Sequence, residues 1–136
     1  THDYTNLNMK WMHRRNTKLP KMVQHKQTMA QRYAYGNEWI TQVDLEHLLP
    51  HDVARKTSPL WKLSSKTASR FAAGPPYLAT ARDMYMIVQT WVDFVPRVHE
   101  DYPQLLAEMF AYNLAAHHVH RRPLTSPGFM VSNVAA

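Results

Sequence analysis

The run Thr80-Ala81-Arg82-Asp83-Met84-Tyr85-Met86-Ile87-Val88-Gln89-Thr90-Trp91-Val92-Asp93-Phe94-Val95-Pro96 decides the fold class. Met84, Ile87, Val88, Trp91 and Val95 recur at the three, four, three, four spacing that lines one face of an α-helix. Thr80 with Asp83 three residues on is an acidic capping box, its hydroxyl and carboxylate satisfying amides that a first helical turn leaves unpaired. The helix is expected to begin there and to stop at Pro96, where the ring removes a hydrogen-bond donor. Upstream, Gly74-Pro75-Pro76 reads as a rigid turn leading into a short extended run, Tyr77-Leu78-Ala79. Downstream, a second amphipathic helix is expected to open at Pro103 and to run through Leu105, Leu106, Met109, Phe110, Tyr112 and Leu114 to about His118. The Pro127-Gly128 turn then precedes an expected strand, Phe129-Met130-Val131-Ser132-Asn133-Val134.

The first half is less periodic. Thr1 to Lys26 show no sustained helical or alternating pattern, and residues 1–30 read as an extended arm with at most one short helical turn, in which Met9, Trp11, Met12 and Met22 sit among cations. Apolar anchors between cations suit a segment laid across another surface. Between Gln27 and Val43, the residues Tyr33, Tyr35, Trp39, Ile40 and Val43 fit either a strand pair around Gly36-Asn37 or a helix closing there. Asp44 to Leu49 reads as one helical turn ended by Pro50, and His51 to Arg70 as a connecting loop. The resulting fold class is mixed α/β and helix-rich, with an arm over 1–30 and a compact part over 31–136.

The chain has 136 residues, 45% hydrophobic and 19% charged, enough for one compact domain and too apolar for a disordered one. With 3 glycines a glycine-cradled phosphate loop is disfavoured, and no cysteine is present to form a disulfide, a zinc knuckle or a thiol nucleophile. No apolar run approaches the roughly 20 residues of a membrane-spanning helix. The formal charge of +6 is lopsided: 12 Lys or Arg against 5 Asp or Glu through Arg70, then 4 against 5. Lys10, Arg14, Arg15, Lys18, Lys21, Lys26 and Arg32 occur without an intervening acid, a field able to draw an acidic protein, an anionic lipid surface or RNA. Lys10, Trp11, Arg14, Arg15, Lys18, Lys21 and Lys26 are the candidate partner-binding residues.

Nine histidines invite a metal reading, with His117, His118 and His120 clustered at a helix end. Adjacent helical side chains point about 100° apart, so this cluster does not converge on an ion. Cations at His117, His118, Arg121 and Arg122 instead complement the negative helix terminus. Asp44-Leu45-Glu46 resembles an acidic pair that could hold a divalent cation bridging a nucleotide diphosphate, but it reads D-x-E rather than D-x-D and no clean apolar strand precedes it. No metal ligands are assigned. Glu108, between Leu105, Leu106 and Met109, Phe110, is the carboxylate best placed to act as a base, if the neighbouring apolar stripe raises its proton affinity.

The stretches Gly74-Pro75-Pro76-Tyr77-Leu78, Tyr102-Pro103-Gln104-Leu105-Leu106-Ala107-Glu108-Met109-Phe110-Ala111-Tyr112 and Phe129-Met130-Val131-Ser132-Asn133-Val134, with the helix between the first two ending over Trp91 to Arg97, carry a resemblance. Residues 70–136, with a fainter echo at Ala30-Gln31-Arg32-Tyr33-Ala34-Tyr35-Gly36, resemble the C-terminal half of the plant and algal peptidyl-serine and hydroxyproline O-glycosyltransferases. The resemblance implies a partial nucleotide-sugar-transferase-like half-domain. In the complete enzymes a UDP-sugar and usually Mn²⁺ serve to glycosylate Ser or hydroxyproline in the secretory pathway. By motif, Glu108 takes the position of an acid or base near the acceptor, Tyr112 lines the same pocket, and His117 or His118 lies near the helix end. The family's nucleotide-binding strands and metal-binding aspartates lie upstream of the matched region, and the arm over the first 30 residues has no counterpart there.

Without donor-binding residues there is nothing to stabilise the departing diphosphate, usually the largest contribution to such catalysis. The expectation is therefore a non-catalytic accessory or scaffold subunit of a hetero-oligomeric protein assembly, with no cofactor of its own. The alternatives are a fragment of an active UDP-sugar-dependent transferase, with Mn²⁺, and an RNA-contacting subunit of a ribosome-like particle. An acid-poor start without Met suits import into a mitochondrion or plastid, whereas the transferase alternative implies the secretory pathway.

Overall fold

The computed structural model describes residues 24–51 and 56–129, apart from the Lys62 side chain. Of the expected arm, Lys10, Trp11, Arg14, Arg15, Lys18 and Lys21 lie outside the described residues, as does the expected closing strand beyond Phe129. The fold is mixed α/β, with strands β1 (Met29–Arg32), β2 (Ala73–Leu78) and β3 (Leu124–Ser126) and helices α1 (Glu38–Gln42), α2 (Leu45–Leu48), α3 (Ala81–Asp101) and α4 (Ala107–His118). Two 3₁₀ segments, Pro59–Lys62 and Ser65–Phe71, bridge α2 and β2. None of the described helices is long and apolar enough to cross a membrane.

β1 is central. It pairs antiparallel with β2, the register shifting between Ala30 and Gln31, and parallel with β3. Met29 and Ala30 are buried, so the last residues of the expected arm belong to the sheet. Asn113 of α4 acts as a neighbour to the outer rim of β2: its Oδ1 accepts from the Ala73 amide at 2.9 Å and its Nδ2 donates to the Ala73 carbonyl at 2.8 Å. Among the described residues no strand pairs with that rim, and the bidentate amide satisfies the Ala73 peptide group there.

α4 is the axis of the core. Ala107 and every residue from Phe110 to Ala116 are buried. The expectation of an amphipathic second helix is thus corrected: α4 is apolar nearly all round because α3, β2 and both 3₁₀ segments cover it. Its start is corrected as well. Pro103 to Leu106 form a turn, with Ala107 N–H donating to the Gln104 carbonyl at 3.1 Å, because Leu105 projects into solvent and has no surface to bury. Trp39 of α1 stacks on Phe110 at 4.2 Å between centroids, and Phe71 meets the Trp39 ring edge-on at 6.2 Å.

α3 begins where the sequence indicates, with the Thr80 hydroxyl accepting from the Asp83 amide at 3.2 Å. It does not end at Pro96. The helix continues to Asp101 because Phe94 and Val98, one turn apart, are both driven into the core, while Pro96 sits on the exposed side. Burial of two large apolar side chains, roughly 1.5–3 kcal/mol each, matches or outweighs the roughly 3 kcal/mol an interior proline costs. Ile87, Phe94 and Val98 are the buried apolar positions of α3, and Met84, Val88, Trp91 and Val95 flank them half-buried.

The region left open between Gln27 and Val43 is neither a hairpin nor a helix end. After β1 the chain runs irregularly through Tyr33–Tyr35, turns at Gly36 (φ 75°) and enters α1 with Asn37 at its cap. Part of the expected 51–70 loop is ordered 3₁₀ structure: the Ser58 hydroxyl accepts from the Leu60 amide at 3.1 Å, and Leu60 is fully buried. The expected strand start at Phe129 is a bend, and the third strand lies earlier, at Leu124–Ser126.

Candidate functional site

A cavity of about 910 Å³ opens between the segment that follows β1, the Ser65–Phe71 segment and the run into β3. Among the described residues the charged side chains lining it are Arg32, Lys66, Arg70 and Arg122, with no carboxylate. Ser65, Ser69 and Thr125 add hydroxyls, and Tyr33 and Tyr35 form part of the wall.

Local structure explains three of the four cations. Side chains along the run into β3 alternate between inside and outside, as in any extended chain. Arg121 therefore turns inward, while Arg122 stands exposed in the groove. Arg32 is the exposed last residue of β1, and its Nε donates to Thr125 Oγ1 at 3.3 Å, tying the groove to β3. Arg70 lies in the last turn of its 3₁₀ segment, where a cation meets unpaired carbonyls. No described carboxylate pairs with Lys66, Arg70 or Arg122.

The tyrosine wall depends on a missing side chain. The Tyr33 and Tyr35 rings lie nearly parallel, 5.7 Å apart, and both press on Gly74 of β2. A Cβ at Gly74 would collide with the Tyr33 ring and come within 2.7 Å of the Tyr35 hydroxyl. Both hydroxyls are committed to the wall, Tyr33 donating to the Pro75 carbonyl and Tyr35 to the Ala73 carbonyl, each at 3.0 Å. Burial, with Tyr33 alongside, pushes the Tyr35 phenol well above its ordinary range, so it stays neutral.

Behind the groove, His117 packs against Phe71 at 4.7 Å between centroids, and its Nδ1 is buried without a partner among the described residues. Burial, then the fields of Arg122, Arg70 and His120, lower its pKa to about 4. His118 is likewise lowered, first by burial and then by His120 against the opposing pull of Asp93, and its Nδ1 meets the Ser58 hydroxyl at 2.6 Å. The expectation that these two histidines act as helix-end cations is corrected: burial disfavours the charged form of both rings.

The residues singled out by resemblance sit elsewhere. Tyr112 is 1% exposed, stacked on Tyr77 at 3.6 Å and met edge-on by Trp91 at 5.0 Å. Glu108 is exposed one turn earlier on α4, and its main-chain carbonyl accepts from the Trp91 indole at 2.9 Å. Neither lines the groove. Lys26, the described member of the expected partner-binding set, holds a positive φ of 70° and donates its amide to Asp83 at 2.6 Å. It does not line the groove either.

Asp44 caps α2, accepting the Glu46 amide at 3.0 Å, while His47 bridges Glu100 at 3.1 Å and Asp101 at 3.0 Å. Among the described residues no three His, Asp or Glu side chains are arranged to hold a metal ion.

The sequence places excess positive charge in the first half, most densely from Lys10 to Arg32. Lys66 and Arg70 fall in the expected 51–70 loop, and nothing in their spacing reveals that they share a groove with Arg122. No family model matches the chain, and comparisons with curated proteins and with solved structures find no match.

Proposed function

We propose that the chain is an accessory, non-catalytic subunit of a larger protein assembly and that it grips an anionic feature of its partner through the basic groove. The observation that supports this reading is the concentration of four cations around one cavity with no carboxylate in its lining among the described residues. Clustered uncompensated cations repel one another and are retained where something anionic meets them. The exposed Trp61, Val92 and Leu105 add apolar side chains suited to further contacts in an assembly. The test is to compare the native chain with the Arg70→Glu/Arg122→Glu double variant on a sizing column. The native chain is expected to travel with a fixed set of partners and the variant to lose them. Retention of the same set by the variant overturns the reading.

A second reading is favoured by the packing of the segments that carry the family resemblance. β2, α3 and α4 form one unit through Tyr77, Trp91 and Tyr112. On this reading the chain is a fragment of a UDP-sugar-dependent peptidyl O-glycosyltransferase, and its metal ligands come from polypeptide beyond the described residues. Binding of a UDP-sugar in the presence of Mn²⁺, with transfer abolished by Glu108→Gln, would establish it over the first.

A further inference from the structure

Resting on the accessory-subunit reading, we propose that the groove receives an extended acidic segment of a partner polypeptide. Its carboxylates meet Arg32, Lys66, Arg70 and Arg122, and its main chain pairs with Ala34 and Tyr35.

The charge argument is chemical as well as electrostatic. Three of the four cations are arginines, whose planar fork matches a carboxylate with two parallel hydrogen bonds. The main-chain argument is independent of charge. Strand pairing of β1 finishes where the Tyr33 amide donates to the Ala72 carbonyl at 2.7 Å. Beyond it, Ala34 and Tyr35 make no main-chain hydrogen bond among the described residues, although both line the cavity. A stretch of unpaired peptide groups continuing from a strand is the template that an added peptide strand uses.

The wall chemistry favours a polypeptide over nucleic acid. Base stacking needs an open aromatic face. Here the two tyrosines are stacked with each other and wedged against Gly74, and their hydroxyls are bound to the β2 main chain. With the rings and hydroxyls engaged in this way, the wall suits the aliphatic side chains that alternate with carboxylates along an acidic strand better than it suits a stacked base.

The test uses the full chain and a short fluorescein-labelled peptide of alternating Glu and Val, with fluorescence anisotropy as the readout. Three companions are measured: the Gln-for-Glu peptide, the Glu-Val peptide N-methylated at alternate residues, and oligouridylate. The Glu-Val peptide is expected to bind. Its affinity should fall about tenfold, equivalent to about 1.4 kcal/mol, in Arg70→Ala/Arg122→Ala and again on N-methylation, with partial recovery in Arg70→Lys/Arg122→Lys. Both arginines are exposed, so matching far-UV circular dichroism is expected for all variants.

Equal binding by the double alanine variant would move the contact away from the groove and overturn the proposal. Undiminished binding of the N-methylated peptide would remove the strand pairing, and tighter oligouridylate binding with the same arginine dependence would assign the groove to RNA. If the peptide fails while native partners are still lost in the charge-reversed variant, this proposal falls and the accessory-subunit reading stands. If the partners are indifferent to the groove as well, both fall.

Discussion

The Nε of Arg121 lies 2.8 Å from Oδ1 of Asp83, joining the segment after α4 to the first turn of α3 across 38 residues of sequence. Asp83 is fully buried, and its other contacts are the Lys26 amide at 2.6 Å, the Thr80 hydroxyl at 3.0 Å and His25 Nδ1 at 3.1 Å. One carboxylate thus fastens three distant parts of the chain.

Burial alone would raise the Asp83 pKa, but the Arg121, Lys26 and Thr80 hydrogen bonds, with His25 nearby, outweigh it and hold it at about 2, below the ordinary 3.8. A folded-state pKa below the unfolded value means that the folded state resists protonation. The stability from this group is present above the unfolded pKa and is lost as pH falls from about 4 to about 2. Urea titrations across that window should show a falling unfolding free energy, and the fall should be smaller in Asp83→Asn. At pH 7, Arg121→Met should cost about 3–5 kcal/mol by leaving a buried charge unpaired.

His117 shifts in the same direction for a different reason. Its folded pKa of about 4 lies below the ordinary 6.5 because protonation would charge a buried ring. Its stabilisation is therefore complete above pH 6.5 and declines as pH falls toward 4. Ring chemical shifts followed by NMR should report a neutral His117 at pH 5.5, and His117→Phe should flatten the loss of stability between pH 6.5 and 4.5.

Gly74→Ala should destabilise the protein by about 1–3 kcal/mol, the usual range for overpacking. The Tyr33 and Tyr35 rings must move to admit the new methyl group. Thermal unfolding measures the cost. Because the rings form the groove wall, the variant should also bind the Glu-Val peptide more weakly, whereas Leu105→Ala, at an exposed turn, should change neither measurement.

Tyr112→Ala should cost about 3–5 kcal/mol, because it empties a fully packed aromatic site. Tyr112→Phe should be far milder, since among the described residues the hydroxyl's hydrogen bond is a weak one, to the Met84 sulfur at 3.9 Å. Glu108→Gln, at an exposed position, should leave the urea midpoint unchanged. A Tyr112→Phe variant with lost peptide binding and native stability would show that this helix communicates with the groove.

The legible parts of the fold were those in which one local signal acts alone. Thr80 caps α3 as its hydroxyl requires, and the expected turn over Asp44 to Leu49 forms as α2, capped by Asp44 and ended before Pro50. Misjudged boundaries occur where tertiary burial competes with a local rule. Phe94 and Val98 carry α3 through Pro96, and solvent around Leu105 delays α4 beyond Pro103. The 3₁₀ segments escaped notice because Leu60 and Phe71 anchor them through long-range contacts that leave no period in the sequence. The groove was legible only as a charge imbalance. Its members come from three separated stretches, and Arg122 is set apart from Arg121 only by the alternation that buries one and exposes the other.

The grip of Asn113 on Ala73 reaches beyond packing. With that peptide group occupied from outside by a side-chain amide, and with Pro75 and Pro76 contributing no N–H, the rim of β2 offers little for another copy to zip onto. A small sheet protein that leaves such a border bare courts fibril growth. Asn113 holds that border from the side of α4, and Asn113→Leu should raise light scattering as the protein is concentrated.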